Sequence, residues 1–192
     1  RRKNMKSKGF TIIELLIVVA LIGILVSVGG VSIKKQAESR AMLKIQNEFG
    51  DFFRVAAKRS LETGKKYSIH FDLTGKEITI SRNGEITDTL ELPNIFEYEK
   101  ISASSVSQDI TKTLTTNGNM SGGFTLYVFK ANSETQNDWI AKYAIRFTTT
   151  DTHVKFLHVK EYVPISEVKR EKITSDSRSV SNTTYWNIIK EQ

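Results

Sequence analysis

The sequence has no cysteine and very few prolines and histidines. Its 192 residues include two prolines and three histidines. Without cysteine, the chain can form neither a disulfide nor a thiolate metal site. No proline precedes Pro93, so no residue of that type interrupts a helix upstream of it. After a long apolar segment near its start, the chain leaves room for one soluble domain of roughly 100 to 150 residues, and packing alone must hold that domain together.

The net positive charge is also small once residues 1–9 are set aside. The chain carries 28 basic and 21 acidic residues, and five of the basic ones lie in residues 1–9. The remainder therefore has 23 basic against 21 acidic residues, a net charge of +2. So small an excess, without alternating basic and aromatic residues, argues against nucleic acid as a partner.

Sequence patterns typical of catalysis are missing as well. There is no phosphate-binding loop and no Gly-x-Ser-x-Gly elbow, and the Asp72 to Gly75 stretch indicates a turn. His153 and His158 are an odd number of positions apart, so on one strand they face opposite sides. Four acidic residues on alternating strands could suggest calcium, but they indicate solvated faces: Asp88, Glu91, Glu97 and Glu99. The sequence predicts no enzyme activity, no metal and no cofactor.

Residues 10–33 form a long apolar run that contains one charge, Glu14. As a helix this run is about 36 Å long, enough to cross a hydrocarbon core of about 30 Å. A secretory signal peptide has its small residue after the apolar run, whereas Gly9 precedes this one. Cleavage between Gly9 and Phe10 would remove the basic leader and leave the apolar segment attached. The pattern predicts a membrane-spanning helix.

The order of basic leader, Gly9, Phe10 and an apolar stretch with Glu14 at its fifth residue resembles a known signal. It is similar, from Lys8 to about Leu25, to the class III leader of type IV pilins and of the pseudopilins of type II secretion and competence systems. The resemblance implies that Gly9 ends the leader, that Phe10 becomes the N-methylated amino terminus, and that Glu14 is the assembly carboxylate. Implied partners are a prepilin peptidase, other pilin subunits and an inner-membrane assembly platform with its ATPase.

Topology follows from the leader, because Lys and Arg beside a first span stay in the cytoplasm. Lys34, Lys35 and Arg40 weaken that asymmetry. The motif still predicts that the amino terminus lies on the cytoplasmic side of the bacterial cytoplasmic membrane and that residues from about Lys34 onward lie on the outer side. It also predicts later transfer into a filament.

The apolar pattern changes to a stripe in residues 34–63. Its members recur at spacings of three and four and therefore share one helix face: Met42, Ile45, Phe49, Phe52 and Phe53. The sequence predicts that the helix continues as an amphipathic half and ends near Gly64, a suitable C-terminal cap.

Residues 64–165 have the two-residue period of strands. Three predicted strands over residues 67–92 are joined by turns at Thr74-Gly75 and Asn83-Gly84. A further strand is predicted at residues 95–101, a loop at 102–107, and a second block of strands at 124–129, 143–148 and 154–163. The predicted fold is α+β, a long amino-terminal helix packed on an antiparallel β head.

The head also resembles, over Thr115 to Val159, the H-type pseudopilin and FimT-like minor pilins. Residues 166–192 are charged and rich in serine up to Thr184, which predicts a solvated tail. Its apolar end either packs back on the head or docks on another subunit: Tyr185, Trp186, Ile188 and Ile189.

Two roles are open for Glu14. It either snorkels to the membrane surface without consequence, or it pairs with the new amine of a neighbour's Phe10 and sets the register of assembly. The leading hypothesis is a structural subunit, a minor pilin or pseudopilin. The alternatives are a major pilin or competence pseudopilin in DNA uptake, and an anchored enzyme or receptor with an uncleaved Gly9-Phe10 bond.

Overall fold

The computed structural model describes residues 11–102, 105–131, 135–149, 154–160, 163–175 and 185–191, with backbone alone at residues 26–32, 175 and 188–191. The chain divides into two compact units, Arg1–Arg40 and Ala41–Gln192, and the first helix contributes to both. This helix, α1, is Ile12–Thr63.

The described strands are β1 Tyr67–Asp72, β2 Glu77–Arg82, β3 Glu85–Glu91, β4 Glu97–Ser102, β5 Ser105–Ser107, β6 Asp109–Leu114, β7 Phe124–Lys130, β8 Ile140–Phe147, β9 Val154–Val159 and β10 Trp186–Glu191. They form a four-stranded sheet of order β3-β2-β1-β6 and a six-stranded sheet of order β10-β9-β8-β7-β4-β5. Every pairing between them is antiparallel. The predicted α+β class, a long helix followed by an antiparallel head, is confirmed.

The carboxyl end of α1 forms a Schellman motif at the predicted place. Gly64 has a φ of +61°, its N–H donates to the Leu61 carbonyl, and the Lys65 N–H donates to the Ser60 carbonyl. The Ser60 hydroxyl is fully buried and lies 2.6 Å from the carbonyl oxygens of both Lys65 and Thr115. This end of the helix is therefore fixed to the loop after β6.

The predicted Asn83-Gly84 turn joins β2 to β3, with φ values of 52° and 86°. Positive φ at both central residues defines a type I′ turn, whose twist matches that of a hairpin. The turn after β1 also exists. There the Asp72 carboxylate accepts a hydrogen bond from Gly75 N at 2.7 Å, and Lys76 rather than Gly75 adopts positive φ.

The main hydrophobic cluster of the head joins the stripe of α1 to both sheets. Phe49 and Phe53 contact Phe147 of β8, and Phe53 stacks on Phe71 of β1 with ring centroids 6.0 Å apart. Aromatic pairs in such geometries stabilise beyond the area that they bury. Leu126 of β7 is fully buried in the same cluster.

A second cluster uses side chains of the six-stranded sheet that alternate with those of the first. Tyr127 and Phe129 belong to it, whereas Leu126 and Val128 belong to the main cluster. Since successive strand residues face opposite sides, the second cluster covers the other face of the sheet. Ile173 and Trp186, from the predicted polar tail, complete it.

The prediction of a solvated tail over residues 166–184 is therefore wrong for its described part. Residues 163–175 contain a 3₁₀ turn, Ile165–Val168, and a short helix, α2, Arg170–Ser175. Val168 and Ile173 are buried at 3% exposure each. The prediction rested on the average composition of the segment, in which the charged residues outnumber these few apolar ones. Of the two alternatives for the apolar end, the structure favours packing on the head, because β10 pairs with β9 and Trp186 is buried.

Besides β10, two strands were not predicted. Residues 105–107 form β5, in a region predicted as a loop, and β6 pairs with β1. Only Ile110 and Leu114 are buried in β6, so the strand has little apolar alternation to reveal it.

Candidate functional site

The first turn of α1 is closed by reciprocal hydrogen bonds between Thr11 and Glu14. The Thr11 N–H donates to Glu14 Oε2 at 2.9 Å, and the Glu14 N–H donates to Thr11 Oγ1 at 3.3 Å. The Thr11 hydroxyl also donates to Glu14 Oε2 at 3.0 Å. With α1 beginning at Ile12, this is a capping box. The carboxylate, which also faces the positive end of the helix dipole, is satisfied within its own helix.

Thr11 is a site residue that the sequence-based predictions missed. The signal was present, because Thr-x-x-Glu directly before an apolar run is the pattern of a capping box. The resemblance to the leader drew attention to Glu14 and not to the residue that holds it. The other predicted residues of this site, Gly9 and Phe10, lie outside the described residues.

An apolar surface follows Glu14 along the helix. All large apolar side chains between Ile12 and Leu25 are exposed, from 45% at Val18 to 79% at Ile12. None of them belongs to either hydrophobic cluster of the described residues. A helix that is apolar all round is normally buried by other chains or by lipid. Glu14 is thus one carboxylate at the start of an uncovered apolar surface.

Over the residues that the structure describes, no helix is apolar for long enough to cross a membrane. The predicted span of residues 10–33 includes Phe10 and the side chains of residues 26–32, which lie outside the description. The membrane span stays a prediction.

The predicted stripe lies in the second unit and is buried against the head. Met42, Ile45, Phe49 and Phe53 are each at most 3% exposed, and Phe52 is half-buried at the margin. Neighbouring aromatic rings contact one another along this stripe, including Phe49 and Phe53 at 5.7 Å between centroids. It is a packing surface within the second unit, whereas the apolar side chains that follow Glu14 are exposed.

The acidic residues considered for calcium do not all lie on solvated faces. Glu99 is 2% exposed, and its Oε2 accepts a hydrogen bond from Arg170 Nε at 2.6 Å. Asp88 pairs with Arg59, and Glu97 Oε1 lies 2.8 Å from Lys76 Nζ. These three carboxylates therefore pair with cationic side chains from other parts of the chain, whereas contact with solvent was predicted.

Another set of carboxylates lies opposite one another across the four-stranded sheet. Asp109 faces Asp72, Asp72 faces Glu77, and Glu77 faces Glu91. His70 lies 3.2 Å from one of them, Asp109. Even so, the described residues contain no group of three potential ligands arranged to hold a metal ion. His153 lies outside the described residues.

One comparison with known protein families matches the amino-terminal segment. Residues 4–30 match the family described as the prokaryotic N-terminal methylation motif. The match confirms, over those residues, the predicted resemblance to the leader of type IV pilins and pseudopilins. No curated protein matches the chain.

Two solved structures of the minor pseudopilin EpsH, from the type 2 secretion system of Vibrio cholerae, are similar at a low level. One shares 11% identity over 56% of this chain and 89% of that chain, with a TM-score of 0.42. The other shares 11% identity over 60% and 94%, with the same TM-score. Similarity at this level carries no argument about function.

Proposed function

We propose that this chain is a structural subunit, a minor pilin or pseudopilin, that polymerises into a filament after cleavage between Gly9 and Phe10. The observation that carries the proposal is the methylation motif over residues 4–30, joined to a helix whose first apolar half is uncovered. An apolar surface of this extent is expected where other copies of the chain or lipid cover it. The resemblance of residues 115–159 to H-type and FimT-like heads supports a minor role.

In this proposal residues 10–33 anchor the uncleaved chain in the cytoplasmic membrane, with residues 1–9 inside and the head outside. A prepilin peptidase removes the leader and methylates the amine of Phe10. The subunit then moves from lipid into the filament at the assembly platform. Alkaline extraction of membranes tests the anchor, because an anchored chain stays in the pellet and a peripheral one is released.

Glu14 guides docking of each new subunit. Before assembly, its carboxylate accepts hydrogen bonds from Thr11 in its own helix. A carboxylate has about four acceptor positions, so Glu14 can also receive the ammonium of a neighbour's Phe10 without leaving the capping box. Burying either charge alone among apolar side chains is costly, and pairing them removes much of that cost. Few offsets between two helices pair both charges, so the pair selects a register.

The test compares Glu14→Gln and Glu14→Leu in cells that assemble the filament, with sheared filaments probed for the subunit. We expect both variants to be made and processed but incorporated at least about tenfold less than the parent, because the charge pair is lost. Normal incorporation of both variants would refute the role of Glu14.

Processing is tested separately by mass spectrometry of the mature amino terminus. An N-methylated Phe10 is the expected result. An intact bond between Gly9 and Phe10 would instead indicate a tethered ectodomain, and the filament proposal would then be wrong.

A further inference from the structure

An open apolar groove lies on the surface of the head, between α1 and the edge strand β3. Its volume is about 410 Å³, and its apolar lining includes Phe52 and Val55 of α1 and Leu90 of β3. Val55 is 52% exposed, and neither Phe52 nor Leu90 is fully buried. The groove is therefore a preformed surface on which an apolar side chain could be placed without rearranging the core.

Every charged side chain in the lining of this groove is acidic: Glu48, Asp51 and Asp88. Glu48 pairs with Lys44 at 3.8 Å, and Asp51 pairs with Arg54, in both cases between exposed neighbours of α1. Exposed ion pairs of this kind contribute only about 0 to 1 kcal/mol, so a docked cation can compete for the carboxylates. The groove thus favours an apolar residue flanked by cations.

The chain itself contains a segment of that chemistry in its other unit. Ile33 is 68% exposed, and it is followed directly by Lys34 and Lys35, which are also exposed. Neither lysine takes part in an ion pair between described residues. These two lysines are also among the three cations that weaken the charge asymmetry of the predicted span.

We propose that the groove receives the Ile33–Lys35 segment of a second copy of this chain. Ile33 lies on the apolar floor formed by Phe52, Val55 and Leu90, and Lys34, about 100° further round the helix, reaches Glu48 or Asp51. Since assembly through Glu14 is the proposed function on which this rests, the groove adds a second contact, made with the head. In this contact the exposed side chain of Ile33 in one copy and the apolar groove of the other copy cover each other.

Cysteine cross-linking tests the contact in the full-length chain. Because the parent has no cysteine, every disulfide must come from introduced residues. Two differently tagged copies are produced together in cells that assemble the filament, one with Ile33→Cys and the other with Val55→Cys. A disulfide needs Cα atoms within about 7 Å, so a dimer bearing both tags reports direct contact between copies. The matched control replaces Val55→Cys by Val106→Cys, an exposed valine of β5 outside the groove.

We expect at least about fivefold more two-tag dimer for the groove pair than for the control pair, since only the groove pair comes within disulfide distance. Equal yields would overturn the proposal, as would cross-linking of the groove cysteine to another protein in place of the second copy. Incorporation into sheared filaments is scored on the same samples. Filaments without the groove dimer contradict the groove alone, whereas the groove dimer without filaments contradicts the proposed function alone.

Charge exchange provides a second readout. Lys34→Glu, added to the copy that carries Ile33→Cys, should lower the dimer yield about threefold, as a reversed surface pair would. Glu48→Lys with Asp51→Lys, added to the copy that carries Val55→Cys, should restore it. Glu77→Lys with Glu171→Lys, at exposed positions outside the groove, should not. Equal rescue by both sets would contradict a specific contact.

Discussion

The two ends of this chain use their residues in opposite ways. Near the amino terminus, the helix from Ile12 to Leu25 is apolar, and its large side chains are exposed. Near the carboxyl terminus, residues 163–175 are mostly polar, yet Val168 and Ile173 are buried in the head. Composition alone would have predicted the reverse. The difference shows that an apolar segment can stay outside the hydrophobic core while a polar one completes the fold.

The charged residues of the carboxyl-terminal segment explain how it is held. Arg170 donates to buried Glu99, to Asn137 Oδ1 at 3.1 Å and, through its N–H, to the Trp139 carbonyl at 2.8 Å. Lys169 Nζ lies 2.6 Å from Asp138, and this contact raises the pKa of the lysine above its ordinary value. These polar contacts position the few apolar side chains that close the second cluster.

The largest expected effect is the loss of Trp186. Trp186→Ala removes a 3% exposed side chain whose ring lies 5.8 Å from that of Tyr127. We expect a loss of about 3 to 5 kcal/mol in the free energy of unfolding, from burial lost and the cavity left. Denaturant unfolding followed by circular dichroism measures it. Ile165→Ala, in the same segment but 62% exposed, serves as the control with a loss below about 0.5 kcal/mol. Similar losses for both would mean that the segment does not pack on the head in solution.

A slightly smaller effect is expected at the buried ion pair. Arg170→Ala leaves Glu99 buried without its cation, which should cost about 3 kcal/mol. Lys172→Ala, also in α2, should cost less than about 0.5 kcal/mol. The double variant Glu99→Leu with Arg170→Leu should recover most of the loss, because an apolar pair needs no desolvation of charge. A double variant as unstable as Arg170→Ala would contradict this explanation.

That pair also shows where prediction from the sequence stops. Glu99 and Arg170 are 71 positions apart, and no local pattern connects them. Local signals performed well: the Gly64 cap, the Asn83-Gly84 turn and the stripe from Met42 to Phe53 all depend on neighbours in the chain. The tail and β6 depend on surfaces that exist only after the sheets have formed. At the candidate site, the motif indicated Glu14 but not Thr11, although the capping-box signal that includes Thr11 is equally local.

A smaller, local effect is expected at the start of α1. Thr11→Val removes the hydroxyl that accepts from Glu14 N and keeps a similar shape. We expect a local loss of about 1 kcal/mol in helix stability, typical of a lost N-cap. Faster hydrogen exchange of the first helical amides would report it, and Thr11→Ser should preserve protection. If Thr11→Val and the parent exchange alike, Thr11 does not cap the helix in solution.

The smallest expected effect gives the sharpest test of the comparison. Leu16→Ala truncates an apolar side chain that is 64% exposed, so the head should unfold with a free energy within about 0.5 kcal/mol of the parent. Phe49→Ala, in the other half of the same helix, truncates a side chain that is 1% exposed and should cost about 3 to 5 kcal/mol. Tryptophan fluorescence in mild detergent measures both, because Trp139 and Trp186 lie in the head. In the cell, Leu16→Ala should instead lower incorporation into filaments, while the amount of folded protein stays at the parent level. If Leu16→Ala destabilised the head as much as Phe49→Ala, the apolar surface after Glu14 would be part of the fold, and its assignment to assembly would be wrong.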